Sequence, residues 1–294
     1  MTSSSPSPDI PPAGQETSMS LPAAAAPEKP FEEIVFLRVP FSIISLDEAC
    51  RLVAARPPGA PLAYVVTPNA QNLVRHSHLE DPRFIAFYEK AWLHLMDGKV
   101  PRALARQVFG LDIPLAAGSD LTAHLFETYI RPDDAITIIG GEVEMVDSLK
   151  ARFHLTNVAH HNPPMGFINK PDEVEKCVRF ILDHPARYIF MAAGSPRSEY
   201  VTQLVDQRGG AVGTALCIGS SLNFLTGHAK RANPVFRKLG LEWLYRLIVS
   251  PQTHIRRVFV ESMPVLLMVA KARMNPAEYG MDRGRAGAGA QSRK

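Results

Sequence analysis

The chain has 294 residues, 46% of them hydrophobic, which supports a sizeable buried core and excludes a wholly disordered chain. Its formal net charge of +3 at pH 7 does not argue for nucleic acid unless the basic residues cluster. Cys50, Cys177 and Cys217 are odd in number and widely separated, which argues against a disulfide framework or zinc knuckle and for buried free thiols.

Residues 1–31 are rich in Ser, Pro and Ala and are expected to be a disordered tail, because such residues bury too little surface to offset their ordering entropy. They lack the basic and apolar regions of a secretion signal, and no later stretch has the eighteen or more apolar residues of a spanning helix. The expectation is a cytoplasmic protein that reaches a membrane only peripherally.

From Phe31 onward short apolar runs alternate with amphipathic stretches. Residues 34–37 read as an edge strand. Ser45 and Glu48 form a capping box that opens a helix over 46–56, ended by Pro57-Pro58-Gly59. A strand over 62–66 leads to helices over 70–76 and 81–91. A strand over 92–96 follows, ending at Asp97-Gly98, and then a helix over 100–109. Another helix begins near Ser119. A strand over 135–139 ends in Gly140-Gly141 before a helix over 142–153, and a weaker strand spans 158–161. A helix over 172–183, a strand over 188–192, a helix over 197–207 and a strand over 214–218 complete the alternation. Strands separated by helices of about ten residues imply an α/β fold, a Rossmann-like parallel sheet with helices on both faces. Residues 233–273 read as entirely helical, with Pro264 as a kink.

Open parallel sheets bind ligands beyond the carboxyl ends of their strands, where loops enter helix N-termini. Five such ends carry suggestive residues: Thr67-Pro68-Asn69, Asp97-Gly98, Gly140-Gly141, Gly194-Ser195-Pro196 and Gly219-Ser220-Ser221. Any one could be glycine needed merely to turn, and Asp97 could simply cap the next helix. No Walker A motif, complete Gly-x-Gly-x-x-Gly or metal-holding Asp-x-Asp is present. His160 and His161 are adjacent on a strand and face opposite ways, so they do not share an ion. Between His228 and Arg257 lie Lys230, Arg231, Arg237, Lys238, Arg246, Arg256 and Arg257, opposed only by Glu242. Such a patch suits anionic lipid, each basic residue contributing roughly 1 kcal/mol near the surface. Ile255, Val258, Phe259, Met263, Leu266, Leu267 and Ala270 recur at helical spacing, which fits core packing or membrane insertion about equally.

In order along the chain stand Thr67-Pro68-Asn69-Ala70, Met96-Asp97-Gly98, Gly118-Ser119-Asp120-Leu121, Ile139-Gly140-Gly141, Pro164-Met165-Gly166-Phe167 and Gly194-Ser195-Pro196-Arg197-Ser198-Glu199. Gly227-His228-Ala229-Lys230-Arg231-Ala232 and Leu241-Glu242-Trp243-Leu244-Tyr245-Arg246-Leu247 follow. Across residues 34–260 this series resembles the WecG/TagA/CpsF family of glycosyltransferases (glycosyltransferase family 26).

The resemblance implies a Rossmann-like UDP-sugar-binding catalytic domain over 32–232, a membrane-associating appendage over 233–273 and a flexible basic tail over 274–294. It implies an inverting hexosyltransferase that works without a metal or other cofactor. The sugar would be N-acetylmannosamine, its uronic acid or glucose, and the acceptor an undecaprenyl-diphosphate-linked saccharide. The product would enter exopolysaccharide or another cell-surface glycan at the inner face of the membrane. Asp97 matches the family's proposed general base, and Thr67 and Asn69 its pocket residues. The UDP side would draw on Gly98, Gly140, Gly141, Gly194, Pro196, Arg197, Glu199 and Gly219. Arg231, Arg246, Arg256 and Arg257 would meet acceptor and anionic membrane. No nucleic-acid partner is implied, and a homo-oligomer is left open.

Three departures stand out. Ser198 replaces the glutamine of the family's Pro-Lys-Gln-Glu block, Leu115 an arginine before the Gly-Ser-Asp block, and Thr253 an appendage arginine. They leave open the donor sugar and the alternative of a non-catalytic nucleotide-sugar or lipid-binding member. A dinucleotide-dependent oxidoreductase is the further competitor, opposed by the missing glycine fingerprint.

Overall fold

A computed structural model describes residues 27–77, 82–229, 259 and 262–281. Six parallel strands form one sheet in the order β4-β3-β8-β7-β5-β6: β3 (Ala63–Val66), β4 (Leu93–His94), β5 (Ile136–Ile139), β6 (Val158–His161), β7 (Tyr188–Met191) and β8 (Thr214–Cys217). The four inner strands read AYVV, ITII, YIFM and TALC and are buried at every position. They do not alternate because helices cover both faces. The half-buried edge strand β6 and the two-residue strand β4 close the sheet on either side.

On one face pack α2 (Ala70–Ser77), α3 (Pro82–Lys90), α4 (Lys99–Phe109), α7 (Pro171–Asp183), α8 (Arg197–Arg208) and α10 (Pro264–Met274). On the other lie α1 (Leu46–Ala55), α5 (Gly118–His124), α6 (Val143–Phe153) and α9 (Ser221–Leu225). The result is the α/β architecture that the alternation implied, with one apolar cluster on each side of the sheet. Ser45 caps α1 as its motif predicts, accepting from the Glu48 N–H at 3.1 Å. Cys50, Cys177 and Cys217 are buried free thiols.

Two expectations need correction. The edge strand read over 34–37 does not join the main sheet: β1 (Glu33–Phe36) pairs antiparallel with β2 (Val39–Ser42) in a separate two-stranded hairpin. Its turn residues Leu37 and Arg38 sit at φ of 50° and 70°, which a turn motif of Asn or Gly would ordinarily signal. Tertiary contacts hold it instead. Leu37 is fully buried, the Arg38 N–H donates to the Tyr279 carbonyl at 2.9 Å, and its guanidinium lies over the Tyr279 ring.

Pro264 is the first residue of α10 rather than a kink within it. The missing N–H costs nothing there, since the first turn has no acceptor for it. The face of α10 that packs on the core is Val265, Met268, Val269 and Ala272, whereas Met263, Leu266, Leu267 and Ala270 of the sequence-derived stripe are exposed. Apart from Ser262 and the exposed Phe259, the remainder of that appendage, with Thr253, lies outside the described residues.

The α2–α3 layer buries His76 edge-on against the Tyr88 ring, with ring centroids 5.4 Å apart. Burial, assisted by nearby His94 and Arg38, pushes its pKa from 6.5 down to about 4. The folded state therefore keeps His76 neutral while the unfolded chain takes up a proton below pH 6.5. Its contribution to stability is intact above 6.5, falls as the pH is lowered towards 4 and levels off below. Urea unfolding across that window should show wild-type stability declining with a steeper slope than His76→Gln. Equal slopes would mean that His76 is not the group responsible.

Candidate functional site

Parallel pairing aligns the last residues of all six strands. His94 pairs with Val66, Val66 with Cys217, Cys217 with Met191, Met191 with Ile139, and Ile139 with His161. The loops that follow are consequently gathered along one edge. At this edge start α4, α5, α6, α8 and α9, and none of the five has a side-chain hydrogen bond from its N-cap residue. Their first N–H groups and dipoles suit an anionic ligand.

Thr67, Asn69, Asp97 and Gly98 are brought together by backbone bonds between neighbouring strand ends. The Leu95 N–H donates to Val66 O at 2.9 Å, and the Asp97 N–H to Pro68 O at 3.0 Å. Thr67 Oγ1 donates to Cys217 O at 3.4 Å, tying this loop to the end of β8. The helix α5 enters close behind: a β-carbon on Gly118 would sit 2.8 Å from Thr67 Oγ1, so that loop approaches only because the residue is glycine. Gly98 is the N-cap of α4, which places half-buried Asp97 one residue before the cap position. Leu115 forms a bridge with Met96, and its neighbour Ala116 donates to Met96 O at 3.0 Å.

Gly194, Pro196, Arg197 and Glu199 follow β7. Asn72 and Arg75, on α2, join them to the first group: Asn72 Nδ2 and an Arg75 guanidinium nitrogen each donate to Ser195 Oγ at 2.9 Å. Asn72 also exchanges two bonds with Asn69, each backbone N–H donating to the other's Oδ1 at 3.2 Å. Sequence reasoning did not assign Asn72, Arg75 or Ser195. The polar positions 72 and 75 on the first turns after Thr67-Pro68-Asn69 were the signal that could have found them.

The Glu199 side chain is 4% exposed and bonded to Ser195, and burial pushes its carboxyl above the usual glutamate range. Ser198 faces inward, donating its hydroxyl to Met191 O at 3.1 Å. Its difference from glutamine therefore lies behind the edge and not upon it. Gly219 follows β8 between the two groups.

Gly140 and Gly141 stand farther along the edge, after β5. His160 Nε2 lies 3.0 Å from Gly141 O, whereas His161 packs on Phe180, so the two histidines point to opposite faces. Among the described residues, no group of three or more His, Cys, Asp and Glu side chains is placed to hold a metal ion. A surface cavity of about 320 Å³ lies at the opposite edge, among the loops that precede the strands, lined by Gly59, Asp134, Asn157 and Arg187. It contains none of the strand-end residues. Arg231, Arg246, Arg256 and Arg257 lie outside the described residues.

A family model described as "Glycosyl transferase WecG/TagA/CpsF family" matches residues 34–279. The chain belongs to that family, and it is a glycosyltransferase whose substrates are a sugar donor and an acceptor. The match begins at β1 and ends at Tyr279, the residue that supports the hairpin turn, and so spans every strand described above.

Close packing between β5 and the loop after β7 gives the edge its shape. Gly140 has φ of 89°, and a β-carbon there would lie 2.8 Å from the Ala193 nitrogen. Gly219 has φ of 55° with nothing within 4 Å of such a carbon. Gly140→Ala should cost about 3 kcal/mol or more because backbone must shift, and Gly219→Ala about 1–2 kcal/mol from the left-handed conformation alone. Urea denaturation of both variants checks the ranking; equal losses would contradict the packing.

Proposed function

We propose, from membership of the WecG/TagA/CpsF glycosyltransferases, that the protein is an inverting, metal-independent transferase. It moves a sugar from UDP to an undecaprenyl-diphosphate-linked saccharide during cell-surface glycan synthesis. The donor is N-acetylmannosamine, its uronic acid or glucose. The observation that carries the reading is the junction of Asp97 with Thr67 and Asn69, held by the Asp97 N–H to Pro68 O bond beside uncapped helix N-termini.

Asp97 accepts the proton of the acceptor hydroxyl as its oxygen attacks the anomeric carbon. The bond to UDP breaks on the opposite face, which inverts the configuration. Thr67 and Asn69 orient the reacting groups. The leaving diphosphate is stabilised by the N–H groups that open α8 and α9, by the loops at Gly140-Gly141 and Gly219, and by Arg197. A catalytic aspartate and a capping aspartate make different demands, and the N-cap of α4 being Gly98 supports the catalytic role.

Attachment to the membrane would use the appendage. The exposed Phe259, Met263, Leu266 and Leu267 support a face that meets lipid, since the core is packed by the other side of α10. Arg231, Arg246, Arg256 and Arg257 supply attraction to anionic headgroups and to the acceptor's diphosphate. No helix among the described residues is long and apolar enough to cross a membrane.

In assays containing EDTA, the wild type should turn over, and Asp97→Asn should lose about 10²–10⁴-fold in transfer rate while UDP affinity is retained. Near-normal turnover by the folded variant would remove Asp97 as the base. Loss of wild-type activity in EDTA that Mg²⁺ restores would remove metal independence.

Replacing Arg246, Arg256 and Arg257 together with Glu should abolish co-sedimentation with anionic vesicles and sharply reduce transfer to a lipid-linked acceptor, with UDP binding little changed. Wild-type vesicle binding by the folded triple variant would assign the arginines to ordinary surface charge.

A further inference from the structure

Glu199 is a buried carboxyl beneath the half-buried loops at the strand ends. Its Oε2 has no hydrogen-bond partner and is inaccessible to solvent, while its side chain is bonded to Ser195. The direction of that bond follows from counting protons. Ser195 Oγ already accepts from Asn72 Nδ2 and from Arg75, and both groups can only donate. The single hydroxyl proton is therefore left for Glu199. Asn72 in turn is locked to Asn69 by the paired bonds between their backbones and side chains.

A chain of hydrogen bonds thus runs from α8, through the loop after β7, to α2 and the loop after β3. It spans the end of β8, joining two loops that no strand pairing connects.

We propose that Glu199 is a positioning residue: by orienting the Ser195 hydroxyl it holds Asn72, and through Asn72 it sets Asn69 beside the Asp97 loop. In place of the UDP-side role that the family resemblance implied for Glu199, it acts through these groups and does not contact the donor. The role rests on the transferase reading above only for its effect on rate; the network itself is a property of the free protein. Burial is what makes it selective. An unsolvated oxygen without a donor is costly, and burial beside Tyr88 and Cys217 raises the carboxyl above the usual glutamate range, although Ser195, Arg75 and Arg197 pull the other way. Glutamine is accordingly the conservative replacement, since its carbonyl still accepts from Ser195.

The test compares Glu199→Gln, Glu199→Ala, Ser195→Ala and Asn69→Ala. Glu199→Gln should stay within about threefold of wild type, whereas Glu199→Ala and Ser195→Ala should lower kcat by about 10–100-fold with the UDP dissociation constant nearly unchanged. In an Asn69→Ala background, Glu199→Ala should add little, because its effect passes through Asn69. Without any substrate, the Asn69 and Asn72 side-chain amide resonances should shift in Glu199→Ala and return towards wild type in Glu199→Gln.

Ser195 is exposed, so Ser195→Ala keeps the experiment decisive should Glu199→Ala fail to fold. Weakened UDP binding in Glu199→Ala would show direct ligand contact and overturn the proposal. Multiplicative effects of Glu199→Ala and Asn69→Ala, or unshifted amides, would overturn it as well. If the protein proves not to transfer sugar, the amide shifts still decide whether the network exists.

Discussion

Everything at the candidate site depends on the register of one parallel sheet. Because the strands run the same way and end level, from His94 at one side to His161 at the other, each following loop is delivered to the same edge. A one-residue slip would turn the inner faces over and separate the loops by the same step. The uniform burial of the four inner strands prevents such a slip. Their Val, Ile, Leu, Tyr and Phe side chains are claimed by helices on both faces, and exposing any one of these large apolar groups would cost on the order of 2 kcal/mol.

Level strand ends bring the loops near one another but do not fix their side chains. Two kinds of contact do that. Between adjacent strands, the ladder simply continues into the loops, as when Asp97 donates to Pro68. Between strands that are not adjacent, polar side chains reach across, and the Asn69-Asn72-Ser195-Glu199 chain is the instance that matters most here. A buried carboxyl with one oxygen left unpartnered is a costly anchor for such a chain, and the bonds it does make restrict the loop's arrangement. The C-terminal helix adds a third constraint. One face of α10 completes the core beside α2 and α4, and the turn ending in Tyr279 supports the hairpin that opens the fold. The opposite face exposes Leu266, Leu267 and Met274 together with Lys271 and Arg273.

The amino-acid sequence by itself determined the α/β class and the order of the strands and main helices from Ala63 to Cys217, and it placed its candidate residues at the strand ends. These follow from local rules: apolar runs of strand length, capping at Ser45, and glycines or prolines where strands stop. The order of motifs was likewise enough for the family. The β1–β2 hairpin was not legible, because Leu37 and Arg38 carry no turn signal and are held at positive φ by Tyr279, more than two hundred residues away. The face of α10 was not legible either: an almost wholly apolar helix has no stripe that declares itself, and only the shape of the core selected Val265, Met268, Val269 and Ala272. Tertiary structure alone also decided that Ser198 faces inward and that Asn72, Arg75 and Ser195 belong beside the predicted residues. Such contacts join positions about 120 residues apart. They depend on which helix start lies next to which strand end, a matter of sheet order that local sequence patterns do not encode.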